Sequence, residues 1–300
     1  MSTELELKFL LAPAYLPQLQ ASLTQLGQIS HYEQADLLNA YFDTSTNWFR
    51  QHDMGLRSRL KKGRYEQTIK LAGTQHGAMQ MRPEYNEPCA SVIPQLVSFP
   101  SYIWPENADV GKLQAELTEL FRTDFNRSSW QLRCADGTEV DLAYDQGQVV
   151  AKGKTQPIAE LELELLTGDP QQLFVLASQL IQLLPLQTGW LSKAARGYQL
   201  AFDTRLKLPT DIGDSLLAQV KALQQAEACY LQQQDLLALG IAAKALSAIA
   251  SATGKLGQLQ QLSVTASALA QQLAANQPVF ALQEYSLLLL SLSQYLYQHA

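Results

Sequence analysis

Strict alternation of charged with apolar residues constrains this chain more than any other feature. Glu4-Leu5-Glu6-Leu7-Lys8-Phe9 and Glu160-Leu161-Glu162-Leu163-Glu164-Leu165 both repeat with period two, the period of a β-strand. Successive side chains on a strand point to opposite faces. Glu4, Glu6 and Lys8 therefore share one face while Leu5, Leu7 and Phe9 share the other, and Glu160, Glu162 and Glu164 likewise oppose three leucines. A single strand of this kind reads as amphipathic, with a solvated charged side. Several together read differently. Arg57 and Arg59 share a face, as do Arg82 and Glu84, and Asp141 and Asp145, and Lys70 ends a strand. Like charges at successive same-face positions resist sheet formation unless something compensates them. A cavity lined by both signs suits a polyanion that carries a metal. Carboxylates hold Mg2+ or Mn2+ through hard oxygens, arginines grip phosphate with paired donors, and lysines act as point charges.

The 300 residues amount to roughly two domains' worth of chain. Charge divides them unevenly. Residues 206–300 hold Lys207, Lys221, Lys244 and Lys255 but no arginine, and around Leu208-Pro209-Thr210 the texture turns to Ala, Leu and Gln. Upstream, strands are expected at the two alternating runs, at 37–42, 79–86, 130–135, 138–145 and 148–152, and in a hairpin around Lys61-Lys62-Gly63-Arg64. Helices are expected over 15–26, 112–121 and 171–184. The tail reads as helices near 212–237, 240–251, 256–274 and 279–298, with breaks at Gly240, Gly254 and Pro278. A net charge of −6 argues against a nucleic-acid partner. Cys89, Cys134 and Cys229 lie too far apart for a zinc or disulfide framework and fit a reducing compartment. No basic segment leads into an apolar stretch at the N-terminus. The most apolar run, Leu287 to Leu292, is far short of the roughly 20 residues that span a bilayer. The expectation is a cytoplasmic chain with no membrane partner.

Beyond the alternation, Leu56-Arg57-Ser58-Arg59, Thr68-Ile69-Lys70, Arg82-Pro83-Glu84-Tyr85, Glu139 to Asp145, Glu160 to Glu164 and Ser192-Lys193-Ala194-Ala195-Arg196-Gly197-Tyr198 follow the Glu4-x-Glu6-x-Lys8 opening in order. Over residues 2–203 this resembles the CYTH family, the triphosphate tunnel metalloenzymes. It is most similar to bacterial inorganic triphosphatases whose tunnel domain precedes a helical CHAD region. The resemblance implies an α+β fold: a closed antiparallel tunnel of eight strands with outer helices over 1–205, then a small all-α bundle over 206–300. It implies hydrolysis of inorganic triphosphate to diphosphate and phosphate, with Mg2+ or Mn2+ as cofactor. Thiamine triphosphatase, nucleotide processing and non-catalytic polyphosphate binding are the alternatives. Two departures stand out. Asn86 occupies a position where many members carry a second acid, and the tail lacks the basic surface of a CHAD domain.

By resemblance, Glu4, Glu6, Glu162 and Glu164 are the metal ligands, with Glu84, Asp145 and Glu160 as further candidates. Lys8, Arg57, Arg59, Lys70, Arg82, Arg122, Lys193 and Arg196 are the phosphate contacts. Glu4, Glu6, Lys8 and Lys193 carry the catalytic roles. Phosphoryl transfer needs positioning and charge neutralisation rather than a protein nucleophile, so His31, His52, His76 and His299 are read as surface or capping residues. The segment Gly147 to Thr155 imitates a phosphate-binding loop. Its glycines are one residue too far apart, and a strand rather than a helix follows. Tyr41, Phe42, Trp48 and Tyr65 are the aromatic residues available to a base or nucleoside pocket.

Overall fold

A computed structural model describes residues 2–300, with side chains from Glu4 onward. The barrel comprises β1 (Ser2–Leu10), β2 (Gln28–Asp43), β3 (Gly55–Lys61), β4 (Arg64–Lys70), β6 (Met79–Cys89), β7 (Thr118–Arg133), β8 (Glu139–Ala151) and β9 (Lys154–Thr167), with the short strands β5 (Thr74–His76) and β10 (Gln187–Thr188) outside it. The order β1-β9-β8-β7-β2-β3-β4-β6 closes where β1 pairs with β6, and every pairing is antiparallel. Closure leaves the eight strands without a free edge. The eight-stranded α+β expectation holds.

The alternation sets which face turns inward. Leu5, Leu7, Phe9, Leu161 and Leu163 point outward and are buried beneath α1 (Leu16–Leu26) and α4 (Gln171–Leu183). Their charged neighbours are left to line the inside. Two hairpins turn on adjacent left-handed residues, Lys62-Gly63 between β3 and β4 and Lys152-Gly153 between β8 and β9. That geometry matches the strand twist, and the second turn rules out a phosphate loop at 147–155.

Three further helices shape the barrel: α2 (Trp48–Gln51), α3 (Val110–Glu116) and α5 (Lys193–Phe202). The helix expected over 112–121 stops at Glu116, because the strand period takes over at Thr118. Helix α5 packs on the tunnel-facing side of the sheet. Tyr198 and Ala201 meet Phe121, Phe125, Val149 and Ile158. A Cβ at Gly197 would fall within 2.1 Å of Phe121 ring atoms, so only glycine allows this approach.

The tail forms α6 (Leu216–Gln233), α7 (Leu237–Gly254), α8 (Gln260–Ala274) and α9 (Gln283–Gln298) around their own apolar core. Gly240 does not break α7. It sits exposed, and burial of Ala238, Leu239, Ala242 and Leu246 offsets its cost of about 1 kcal/mol. Helix α7 is the one described helix long and apolar enough to cross a membrane, and half of it is buried in the protein. Helix α9 also reaches the barrel. Leu290 joins the core beneath β1, and the Ser293 hydroxyl accepts from Ala78 N at 2.7 Å.

Candidate functional site

Inside the barrel lies a cavity of about 200 Å³ lined by Glu4, Glu6, Lys8, Arg57, Arg59, Lys70, Arg82, Glu84, Arg127, Glu162, Glu164 and Lys193, together with Tyr41, Thr68, Gln80, Asn86, Phe125 and Ser192. Strand register sorts the charges. On β1 and β9, Glu6 stands directly opposite Glu164 and Lys8 opposite Glu162. On β6, Arg82 stands opposite Glu4.

The negative side has too few cations. Among the described residues, neither Glu6 nor Glu164 has a basic partner within 4 Å. Burial, Glu162 and Glu4 push Glu6 up to about 7, and burial, Glu4 and Glu6 push Glu164 up to about 8. Glu4 pairs with Lys70. Lys70 also binds Glu84 at 2.9 Å, and against the upward push of burial Lys70 and Arg57 bring Glu84 down to about 2. The unmatched pair is therefore Glu6 and Glu164, with Glu4 beside them. No three acids, histidines or cysteines among the described residues form a preformed metal cage. Mg2+ commonly takes only one or two carboxylates and completes its shell with water and substrate phosphate. The donor set fits such an ion, since a divalent cation would cancel the repulsion between Glu6 and Glu164.

On the positive side there are too few acids. Arg59 donates from Nε to Asn39 Oδ1 at 2.7 Å and has no carboxylate partner among the described residues. Burial, Arg57 and Arg127 lower its pKa to about 9. Arg57 approaches Glu84 only at 3.8 Å, and its buried Nε has no partner. Arg82 donates its Nε to Leu71 O at 3.1 Å rather than to a carboxylate. One cavity thus holds carboxylates without cations, Glu6 and Glu164, and guanidinium groups without carboxylates, Arg59 and Arg82.

A third group of charges is already neutralised. Arg127 grips Asp145 with two bonds of 2.6 and 2.7 Å and Glu162 at 2.7 Å. Lys193 reaches Asp145, Glu160 and Glu162 at 2.7, 2.7 and 2.9 Å. Despite burial, Lys193, Arg127 and Lys8 hold Glu162 well below the usual carboxylate range.

This network places several of the expected site residues. Asp145 and Glu160, expected as further metal-ligand candidates, are fully buried, lie outside the lining and pair with cations in this structure. Glu162 does line the cavity but binds two cations. Arg196, expected as a phosphate contact, donates to Glu160 and to Pro157 O at 2.9 Å and borders a different cavity. Arg122 is on the outer face of β7, clasped by Glu119 at 2.6 and 2.8 Å. The inward residues of that strand are Phe121, Thr123, Phe125 and Arg127. Arg127 is the lining cation that sequence reasoning missed; the odd-numbered alternation through 121–127 was the signal. Of the four aromatic residues considered for a nucleoside pocket, Tyr41 alone lines the cavity, stacked on Phe121 at 4.6 Å.

The CYTH domain family matches residues 2–198. This chain is a CYTH protein. An inorganic triphosphatase from Haemophilus influenzae is 32% identical over 214 residues, which cover 67% of this chain and 55% of that protein. The chain thus spans little more than half the length of the curated relative it matches. A solved structure from Hippeastrum, described as an adenylyl cyclase candidate with a dominant triphosphatase activity, aligns at 17% identity over 65% of this chain and 95% of its own, with a TM-score of 0.47. A Bacillus halodurans structure described as an adenylate cyclase candidate aligns at 16% identity over 61% and 90%, with a TM-score of 0.34. For the CYTH chain, the closed β-tunnel and its two-signed lining are the features that bear on chemistry.

Proposed function

We propose that this CYTH protein hydrolyses inorganic triphosphate to diphosphate and phosphate, using Mg2+ or Mn2+. The presence of unmatched charge of both signs within one tunnel carries this reading: Glu6 and Glu164 have no cation partner, while Arg59 and Arg82 have no carboxylate partner among the described residues. A metal-bound triphosphate brings both missing charges in one ligand. Glu4, Glu6 and Glu164 would hold the metal, which supplies Lewis-acid neutralisation of phosphate charge when bound.

The chain's own residues do the rest. Arg57, Arg59 and Arg82 offer guanidinium donors to phosphate oxygens, and Lys8, Lys70 and Lys193 add point charges. Glu162, Asp145 and Glu160 hold Arg127 and Lys193 in place before substrate arrives, so little reorganisation is needed at the moment of reaction. No Cys or His lines the cavity among the described residues, and Ser192 is the lone lining serine. Its hydroxyl caps α5 by accepting from Ala195 N at 3.1 Å. The Thr68 hydroxyl also lines the cavity and donates to Asn86 Oδ1 at 2.7 Å. Direct in-line attack by water on a phosphorus fits that inventory, with charge neutralisation supplying most of the acceleration.

We place the tunnel domain in residues 1–205 and a helical domain in 206–300. The three unpaired cysteines support a cytoplasmic location, and the net charge of −6 counts against a nucleic-acid partner. A phosphate-release screen tests the reading, using tripolyphosphate, thiamine triphosphate, ATP and long-chain polyphosphate with and without Mg2+ or Mn2+. Metal-dependent turnover that favours tripolyphosphate is expected. Binding without turnover of any of the four would make the chain a polyphosphate-binding module instead.

A further inference from the structure

Between α4 and α5 the chain crosses one end of the tunnel as a strap, residues 186–192. Thr188 and Gln187 pair with Phe9 and Leu10 of β1. Gly189 N donates to Lys8 O at 3.0 Å, and Leu191 O accepts from Lys8 Nζ at 3.0 Å. A Cβ at Gly189 would stand 3.2 Å from Lys8 Cγ, so the strap lies tight against that lysine. One residue past Leu191, Ser192 caps α5 and Lys193 enters the carboxylate cluster. The strap therefore sets the position of two tunnel lysines.

The tail helices hold the strap. Thr188, 2% exposed, donates from Oγ1 to the Glu227 carboxylate of α6, at 3.3 Å to each oxygen. Tyr285 OH of α9 donates to the same carboxylate at 3.0 Å, and Ser286 Oγ donates to Leu186 O at 2.7 Å. Glu227 is itself 2% exposed and has no basic partner among the described residues. A buried carboxyl without a cation is costly, and an apolar residue would pack the junction at less expense. Behind the strap lies a cavity of about 500 Å³ bordered by Trp190, Leu191, Arg196, Glu227 and Leu231. Packing alone does not fix the strap there: the pairing with β1 holds one side, and the bonds from Ser286 and to Glu227 hold it to the tail.

We propose that Glu227 is a positioning residue for the tunnel: through Thr188 it fixes the strap that places Lys8 and Lys193, so the helical tail tunes triphosphate binding without touching the ligand. This rests on the triphosphate reading of the tunnel. Thr188→Val removes the hydroxyl donor and keeps the shape, whereas Thr188→Ser keeps the donor. Glu227→Gln keeps an acceptor, and Tyr285→Phe removes the other donor to Glu227 without touching the strap. Calorimetry with tripolyphosphate and Mg2+ should show affinity about five- to tenfold weaker in Thr188→Val, and near wild type in the other three. Amide hydrogen exchange across 186–192 should speed up by a similar factor in Thr188→Val alone. Exchange reads the strap itself: if the wild-type chain binds no tripolyphosphate, the functional reading and the tuning of binding fall together, while exchange still decides whether the bond to Glu227 fixes the strap. Unchanged exchange in Thr188→Val, or equal losses in Thr188→Val and Tyr285→Phe that track their melting temperatures, would overturn the proposal.

Discussion

Replacing Arg59 with methionine should make the ligand-free protein more stable and the ligand-binding protein worse. The Arg59 guanidinium is half-buried beside Arg57 and Arg127, with Asn39 as its hydrogen-bond acceptor and no carboxylate partner among the described residues. A pKa brought from 12.5 to about 9 corresponds to at most roughly 5 kcal/mol of unfavourable charge in the empty tunnel. Relaxation and water reduce that figure. Losing the bond to Asn39 returns about 1 kcal/mol, and the methionine keeps most of the packing of the arginine stem. A net gain of about 1–3 kcal/mol remains, which for a chain of this size raises the melting temperature by a few degrees or more. The same substitution deletes a charge-assisted phosphate contact, worth about 1.5–3 kcal/mol, or roughly ten- to a hundredfold in Kd. Scanning calorimetry without ligand and titration calorimetry with tripolyphosphate measure the two effects. A variant that melts lower in the absence of ligand, or binds tripolyphosphate as tightly as wild type, would show that Arg59 is a structural cation.

Glu6→Gln should abolish metal-dependent turnover and remove the stabilisation that Mn2+ gives, yet raise the metal-free melting temperature at pH 8. Wild-type turnover at limiting metal would contradict this. In the metal-free chain Glu6, Glu164 and Glu227 titrate at about 7, 8 and 8. The folded state keeps protons that the unfolded chain has released above about 4.5, so stability should fall as pH rises from 5 to 8.5. The cost is at most about 3 kcal/mol for Glu6 and about 5 kcal/mol for each of the other two, and Mg2+ should remove the part due to Glu6 and Glu164; a melting temperature that climbs across this window would refute the assignment. Arg122→Ala breaks an exposed pair and should leave KM unchanged. Arg127→Ala strips a buried partner from Asp145 and Glu162, and should both raise KM and cost about 3 kcal/mol of stability. Equal KM effects in the two would reverse the facing assigned to β7.

The strand period carried the tunnel and most of its lining into view from sequence, because two-residue alternation ties burial to position. Glu4, Glu6, Lys8 and Glu164 were legible for that reason. Arg122 faces outward and Arg127 inward: a helix expected to run to 121 masked the start of β7, and on a strand an odd-numbered offset moves a side chain to the opposite face. Glu160 and Asp145 share the inward face with Glu164, yet Arg196, Lys193 and Arg127 neutralise them. Those partnerships span 18 to 48 residues of sequence and depend on register across several strands. The strap was invisible for a related reason: Thr188 and Glu227 look like ordinary surface residues until α6 is laid against β10.

A crystal of the wild-type chain grown with Mn2+ and tripolyphosphate gives the most direct test, because anomalous scattering locates the metal independently of the phosphates. The predicted result is manganese within about 2.2 Å of carboxylate oxygens from Glu6 and Glu164, with phosphates running from it toward Arg57, Arg59 and Arg82. Manganese bound only outside the tunnel, or phosphates lodged away from the three arginines, would contradict the reading of the two-signed cavity as a metal–triphosphate site.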